Sequence, residues 1–235
     1  MEMNAGLACL DLDFAWPGKP AAGRNVLTAI NATFPPGTLT LITGATGAGK
    51  STLLHLLAGL LRPTAGEIRA DGRPVSRWPA SHRDPWRRQV GIVFQHLALI
   101  PDLSAAENLL LALLPRSISW SRMQTDIRRQ LMDADLGELA QTPAGELSGG
   151  QRQRLAMARA MVGAPRFLLA DEPTAFQDDA HAFAIISQLQ RAVAAGAVAV
   201  VCSQDPRLKA STAVQHHYHL ASGRLLTDPD PQGPS

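Results

Sequence analysis

Apolar and polar positions along the chain fall into short runs separated by turn signals. Leu7 to Phe14 alternates, with Leu10, Asp11, Leu12 and Asp13 in sequence, and predicts a strand with one exposed face. Phe14, Ala15, Trp16, Pro17 and Gly18 break it, and Lys19 to Arg24 is a predicted loop. Val26 to Phe34 predicts a second strand, closed by Pro35, Pro36 and Gly37. Leu39 to Ile42 is a short apolar run, the pattern of a buried strand. The leucine-dense run Leu53 to Leu61 predicts a helix, ended by the stretch Arg62 to Gly66. A short strand over Glu67 to Ala70 follows, then a turn at Asp71 and Gly72. Arg73 to Arg88 is polar and predicts a loop with a short helix, and Gln89 to Phe94 another buried strand.

The next stretch changes period. Ser104 with Glu107 three residues later is a capping box, opening a helix over Asn108 to Leu114 that Pro115 stops. A second helix is predicted from Ser121 to Leu139, with Ile127, Leu131 and Leu136 on one side, before the breaker Thr142 to Gly145. Residues 96–146 therefore form a helical insertion between strands. The arginines between Arg116 and Arg129 suit a solvated face or a partner contact. A helix from Gln151 to Val162, a strand from Arg166, a helix from Asp178 to Ala195 and a buried strand over Ala197 to Ser203 complete the pattern. His216, His217 and His219 invite a metal reading, but period-two exposure on a last strand explains them better. Asp228 to Ser235 reads as a disordered tail.

Composition narrows the picture without deciding it. A chain of 235 residues, 46% hydrophobic, can bury a core, and its length suits one domain, whole or in two lobes. Lys and Arg number 22 against 20 acids, and a net charge of +2 gives no reason to expect a nucleic-acid partner. Cys9 and Cys202 lie far apart in apolar runs, as expected for buried reduced thiols in a cytosolic protein. The first residues show no signal peptide, and no run approaches the length of a spanning helix.

Three stretches carry chemistry. Gly44, Ala45, Thr46, Gly47, Ala48, Gly49, Lys50, Ser51 and Thr52 follow a predicted strand and open a predicted helix. This is the setting in which a glycine-rich loop cradles phosphate. The glycines let backbone N–H groups turn inward, and the helix start adds partial positive charge. Lys50 supplies a formal charge, and the Ser51 hydroxyl suits a magnesium ligand. Ser148, Gly149, Gly150 and Gln151 open another helix and form a second anion nest. Asp171 and Glu172 end an apolar strand: one carboxylate can hold magnesium while its neighbour orients water. Gln95, at the end of a buried strand, is a candidate ligand or a strand cap. Trp16 offers a flat face for a base or packs at a strand end. Asp178 is an N-cap or first-turn acid.

With these residues in place, positions 7–226 resemble the nucleotide-binding domain of ATP-binding cassette (ABC) transporters. Gly44–Thr52 matches the Walker A loop, Gln95 the Q-loop, Leu147–Gln151 the family signature, Phe167–Asp171 Walker B, and Glu172 the catalytic glutamate. Trp16 stands where the family's adenine-stacking aromatic stands. The resemblance implies an α/β P-loop NTPase (RecA-like) core, an antiparallel β-subdomain and an inserted α-helical subdomain at about 96–160, with a tail from 227. It implies ATP and Mg2+ as cofactors, with Ser51, Gln95 and Asp171 around the metal. It also implies a head-to-tail dimer in which Ser148–Gln151 meets the partner's ATP and Asp178 lies at the interface. The groove at Gln95 would receive a membrane subunit, placing the chain at the cytoplasmic face of the inner membrane. The length and the stretch Val90 to Asn108 look most like the lipoprotein-releasing, macrolide-exporting and cell-division ATPases.

Two positions depart from the family pattern. The D-loop reads Ala175, Phe176, Gln177, Asp178, keeping only the aspartate, and Gln204 stands in place of the switch histidine. A regulatory or mechanical module with weak turnover, or an ABC ATPase acting apart from membranes, are the competing expectations. The single cassette without a coiled-coil insertion disfavours the latter.

Overall fold

The computed structural model describes residues 6–17 and 25–227. The predicted loop at Lys19 to Arg24, the first five residues and the predicted tail from Asp228 lie outside the described residues. Strands β1 (Leu7–Phe14) and β2 (Leu27–Phe34) pair antiparallel; β3 (Thr38–Thr43) leaves them for a second sheet and leads into α1 (Lys50–Leu57). β4 (Ala65–Ala70) returns to pair antiparallel with β1, so the small sheet has the order β2-β1-β4. After α2 (Ala80–Arg87) and β5 (Val90–Val93) come three helices without an intervening strand: α3 (Ala105–Leu113), α4 (Trp120–Asp133) and α5 (Gly149–Met161). β6 (Phe167–Asp171), α6 (Asp179–Ala194), β7 (Val198–Cys202), α7 (Pro206–Lys209), β8 (His216–Ala221) and β9 (Arg224–Thr227) follow. The large sheet has the order β5-β6-β7-β3-β8-β9, parallel except for β9.

The sheet's central strands are apolar because both faces are covered. Every residue of β6 and β7 is buried. Side chains alternate between faces, so Phe167, Leu169, Val198, Val200 and Cys202 join α1 and the small sheet in one core. Leu168, Ala170, Ala199 and Val201 join α5 and α6 in another. A third core, held by Leu109, Leu113, Leu131, Leu136 and Leu155, binds α3, α4 and α5 together. Fully burying each such leucine is worth about 1.5–3 kcal/mol. Among the described residues no helix is long and apolar enough to cross a membrane.

Four expectations need correction. α1 stops at Leu57 rather than Leu61, because Gly59 turns left-handed (φ +66°) and the Trp86 ring fills the place its side chain would need, 2.5 Å from an ideal Cβ. α4 stops at Asp133 rather than Leu139: Asp135 adopts φ +54°, which returns Leu136 to the helical core before a short 3-10 turn. β1 is not a simple alternation. A register shift at Asp11 (φ +44°) leaves Leu10 and Asp11 both exposed, with the Asp11 carboxylate accepting from Asn31 Nδ2 at 2.8 Å. The histidine strand β8 is followed by β9, which includes Thr227 of the predicted tail, and His217, Tyr218 and His219 are all half-buried. Among the described residues no cluster of three or more His, Cys, Asp or Glu side chains is arranged to hold a metal.

Gly91 sets how closely α5 approaches the sheet. A Cβ there would fall on the Ala160 carbonyl oxygen and lie 2.9 Å from Pro165 Cγ, both rigid neighbours. Gly91→Ala should therefore destabilise the fold by about 1–3 kcal/mol, the usual cost of overpacking. An unchanged denaturant midpoint would contradict this account of the α5 contact.

Candidate functional site

The phosphate-loop residues connect the carboxyl end of β3 to the amino end of α1. Gly44 takes φ +146° and abuts the Leu220 carbonyl, leaving no space for a side chain. Gly49 takes φ +107° as the residue before α1, with Leu27 and Val26 against it. Ala45, Thr46 and Gly47 are exposed at the crest; Ala48, Ser51 and Thr52 are half-buried. Lys50 is only 8% exposed, and its Nζ donates to Gly44 O (2.6 Å) and Ala45 O (3.1 Å). Gln204 Nε2 donates to the same Gly44 oxygen at 3.0 Å. The loop and the residue at the family's switch position thus touch directly.

Parallel register brings the acids to the same end. Asp171 pairs with Cys202 across β6 and β7, and Cys202 pairs with Ile42 across β7 and β3. Asp171 is 5% exposed, and its carboxylate has no hydrogen-bond or ion-pair partner among the described residues. Glu172 adopts φ +49°, an uncommon conformation for this residue type. Its N–H donates to Cys202 O (2.8 Å), and its Oε2 accepts from Ser203 Oγ (2.7 Å). Burial pulls the His55 imidazole on α1 below its usual range, against the opposing charge of Asp171.

Ser148 caps α5 in a full capping box: Ser148 Oγ accepts from Gln151 N–H and Gln151 Oε1 accepts from Ser148 N–H. The box leaves Ser148 and Gly149 exposed, and no hydrogen bond joins residues 148–151 to residues 44–52 of the same chain among the described residues. Gln95 is exposed in the turn after β5, with no side-chain hydrogen bond among the described residues. It does not cap the strand. Asp178 caps α6 by accepting from His181 N–H at 2.9 Å. Trp16 is 42% exposed, edge-on to Phe14 with ring centroids 5.0 Å apart. Phe14 O accepts from Val26 N–H, and Val26 lies against Gly49, so this corner of β1 sits beside the phosphate loop.

A family model described as ABC transporter matches residues 27–175. The chain belongs to the ABC transporter family. Within it the chain is an ATP-binding cassette and an ATPase. It is 36% identical over 203 residues to a lipoprotein-releasing system ATP-binding protein LolD of Syntrophotalea carbinolica, covering 86% of this chain and 88% of that one. It is 35% identical over 204 residues to a macrolide export ATP-binding/permease protein MacB of Paracoccus denitrificans, covering 86% of this chain and 30% of that longer one. Among solved structures it is similar to the ATP-binding cassette MJ0796 as a dimer in a post-hydrolysis state with ADP and Pi. There the TM-score is 0.88 at 27% identity, covering 97% of this chain and 99% of that one.

The ABC residues that the sequence left unmarked are those that hold the marked ones. Gln153, 2% exposed on α5, donates through Nε2 to Glu172 O and Pro173 O, both at 3.0 Å. A glutamine on the inward face of an amphipathic helix was the available signal. Gln177, one of the D-loop positions that depart from the family pattern, turns inward and donates to Gly150 O at 3.2 Å. Its neighbour Phe176 points outward, 86% exposed. Arg207 ties Asp205 to the D-loop through Gln177 O and Asp179 Oδ1.

The two cysteines are free and buried, one on β1 and one at the site. Burial pushes the Cys9 thiol up to about 12. Burial, then the Asp171 charge, raises Cys202 well above its ordinary value against the opposing Lys50. Both should stay protonated and unreactive at mildly alkaline pH. A colorimetric thiol assay should find neither in the folded protein and both in denaturant; rapid modification of native Cys202 would show that the strand end opens.

Proposed function

We propose that the chain is the energy-coupling subunit of a membrane transporter, acting as a homodimer. Two copies close head-to-tail on ATP and Mg2+, and closure and hydrolysis drive membrane subunits from the cytoplasmic face of the inner membrane. The observation that carries this reading is the convergence of Lys50, Asp171, Glu172 and Gln204 at the adjacent ends of β3, β6 and β7. Ligands of open α/β sheets bind at strand carboxyl ends.

The residues fit a divalent cation. Asp171 is 5% exposed, and no side chain among the described residues neutralises its carboxylate. A metal held by Asp171, the Ser51 hydroxyl and Gln95 would offset that charge and polarise the outer phosphates. Lys50 releases its two loop carbonyls and binds the β- and γ-phosphate oxygens; the N–H groups of Gly47, Gly49 and Lys50 complete the cradle. Trp16 presents its free face to the adenine. Glu172 accepts a proton from the attacking water. The exposed Ser148 nest serves the nucleotide of the second copy, as its separation from the chain's own phosphate loop suggests.

The groove of about 610 Å³ beside Phe94 suits a membrane subunit's cytoplasmic segment. Leu111 and Ala112 line it together with Arg88, Arg116 and Arg159. The cargo belongs to those subunits, since relatives of near-equal identity are named for lipoproteins and for macrolides. Gln204 favours a second reading, a cassette in which ATP binding matters more than turnover.

Glu172→Gln should keep ATP binding and stop turnover, so gel filtration with ATP and magnesium should show a dimer; adding Ser148→Arg should abolish it. Wild-type hydrolysis by Glu172→Gln, or a dimer in the double variant, would refute the reading.

Gln204 is neutral and donates to a phosphate oxygen without the imidazolium's charge. Gln204→His should raise kcat about tenfold, equivalent to about 1.4 kcal/mol of transition-state stabilisation. A steady-state assay with no increase, alone or with the membrane subunit, would show that the site has adapted to glutamine.

A further inference from the structure

Glu172 is gripped from two sides by residues outside the phosphate loop. On the backbone side, Glu172 holds a left-handed conformation that costs about 1–3 kcal/mol unless its surroundings enforce it. Cys202 O holds its N–H, Ala175 N–H donates to its carbonyl, and Gln153 is the side chain that joins them. Its amide nitrogen donates to the two successive carbonyls of Glu172 and Pro173. Two carbonyl acceptors can be met only by an NH2 group, which fixes the orientation of the amide. Gln153 lies on α5, the helix that Ser148 caps.

On the side-chain side, Ser203 donates its hydroxyl proton to Glu172 Oε2. The hydroxyl is itself oriented: Ser203 Oγ accepts from Asp205 N–H at 3.1 Å, leaving its only proton for the carboxylate. Asp205 is held in turn by Thr174 Oγ1 and by Arg207, which donates from Nε and from Nη2. Arg207 also reaches the D-loop at Gln177 O. Both Ser203 and Gln153 are buried, so neither bond competes freely with water.

We propose that Ser203 and Gln153 are positioning residues for Glu172. Ser203 sets the direction of its carboxylate, and Gln153 makes that setting depend on where α5 lies. The inference rests on the reading of Glu172 as general base. Because α5 begins at Ser148, engagement of that helix start by a second copy's nucleotide shifts the residue that holds this chain's own base.

Steady-state ATP hydrolysis and thermal melting of Ser203→Ala, Ser203→Thr, Gln153→Leu and Gln153→Glu test it. Ser203→Ala should lower kcat about tenfold to a hundredfold, with the KM for ATP within about twofold, as for a misplaced catalytic group. Ser203→Thr keeps the hydroxyl and should restore most of the rate. Gln153→Glu loses both donors and should fall with Gln153→Leu. In the Glu172→Gln background, Ser203→Ala should leave the ATP-dependent dimer intact, since binding is not its task. Wild-type kcat in Ser203→Ala, or a loss that threonine does not rescue, overturns the Ser203 assignment. Wild-type kcat in both Gln153 variants overturns the link to α5. If Glu172→Gln itself hydrolyses ATP at the wild-type rate, the fault lies with the base assignment instead. Inactive Glu172→Gln beside fully active Ser203 and Gln153 variants would fault only this inference.

Discussion

The chemistry of the molecule depends on β6 being apolar on both faces and acidic only at its end. Leu168 and Leu169 face opposite cores, so the strand must lie in the middle of the sheet with helices on either side. Its parallel neighbours then fix where Asp171 falls. Register with β7 puts Asp171 beside Cys202, and register of β7 with β3 puts Cys202 beside the residue two before the phosphate loop. No long-range charge interaction is needed to assemble the site. Hydrophobic burial aligns three strand ends, and the polar residues are those that emerge where burial stops.

The helical unit between β5 and β6 has its own core, yet α5 belongs to two. Leu155 and Ala158 face α3 and α4, while Ala156, Met157 and Ala160 face the sheet. The missing side chain at Gly91 lets α5 close on β5, and Gln153 bonds the turn after β6. A helix shared in this way connects its exposed start at Ser148 with the turn that carries Glu172. Motion between packed units is the usual route by which ligand contacts become mechanical.

Local signals in the sequence were faithful where local physics decides. The turn from β3 into α1, the capping box at Ser104, the helix start at Ser148, the apolar strand that ends at Asp171 and the cap at Asp178 all follow from adjacent residues. The signals failed where a distant group intervenes. The helical pattern through Leu61 is broken by Trp86, a residue met only after the fold has closed. The pattern through Leu139 is broken because Leu136 gains more by returning to the helical core than by continuing the helix. Ser203 and Gln153 look unremarkable in sequence. Their importance comes from Glu172, which lies 31 and 19 positions away and meets them only through the sheet and α5.

The two departures from the family pattern share one physical habit. Gln204 and Gln177 are both amides, and each donates to a backbone carbonyl at a helix-start loop of its own chain, Gly44 O and Gly150 O. An amide supplies donors without charge, so it can hold such a loop and still release it to a stronger acceptor. Phosphate oxygens are stronger acceptors than these carbonyls. Lys50, which also rests on Gly44 O, has the same choice to make. In this structure both donors are met by neutral carbonyls of the loop. Lys50 is the buried one of the two, and a buried charged donor without a partner would be costly.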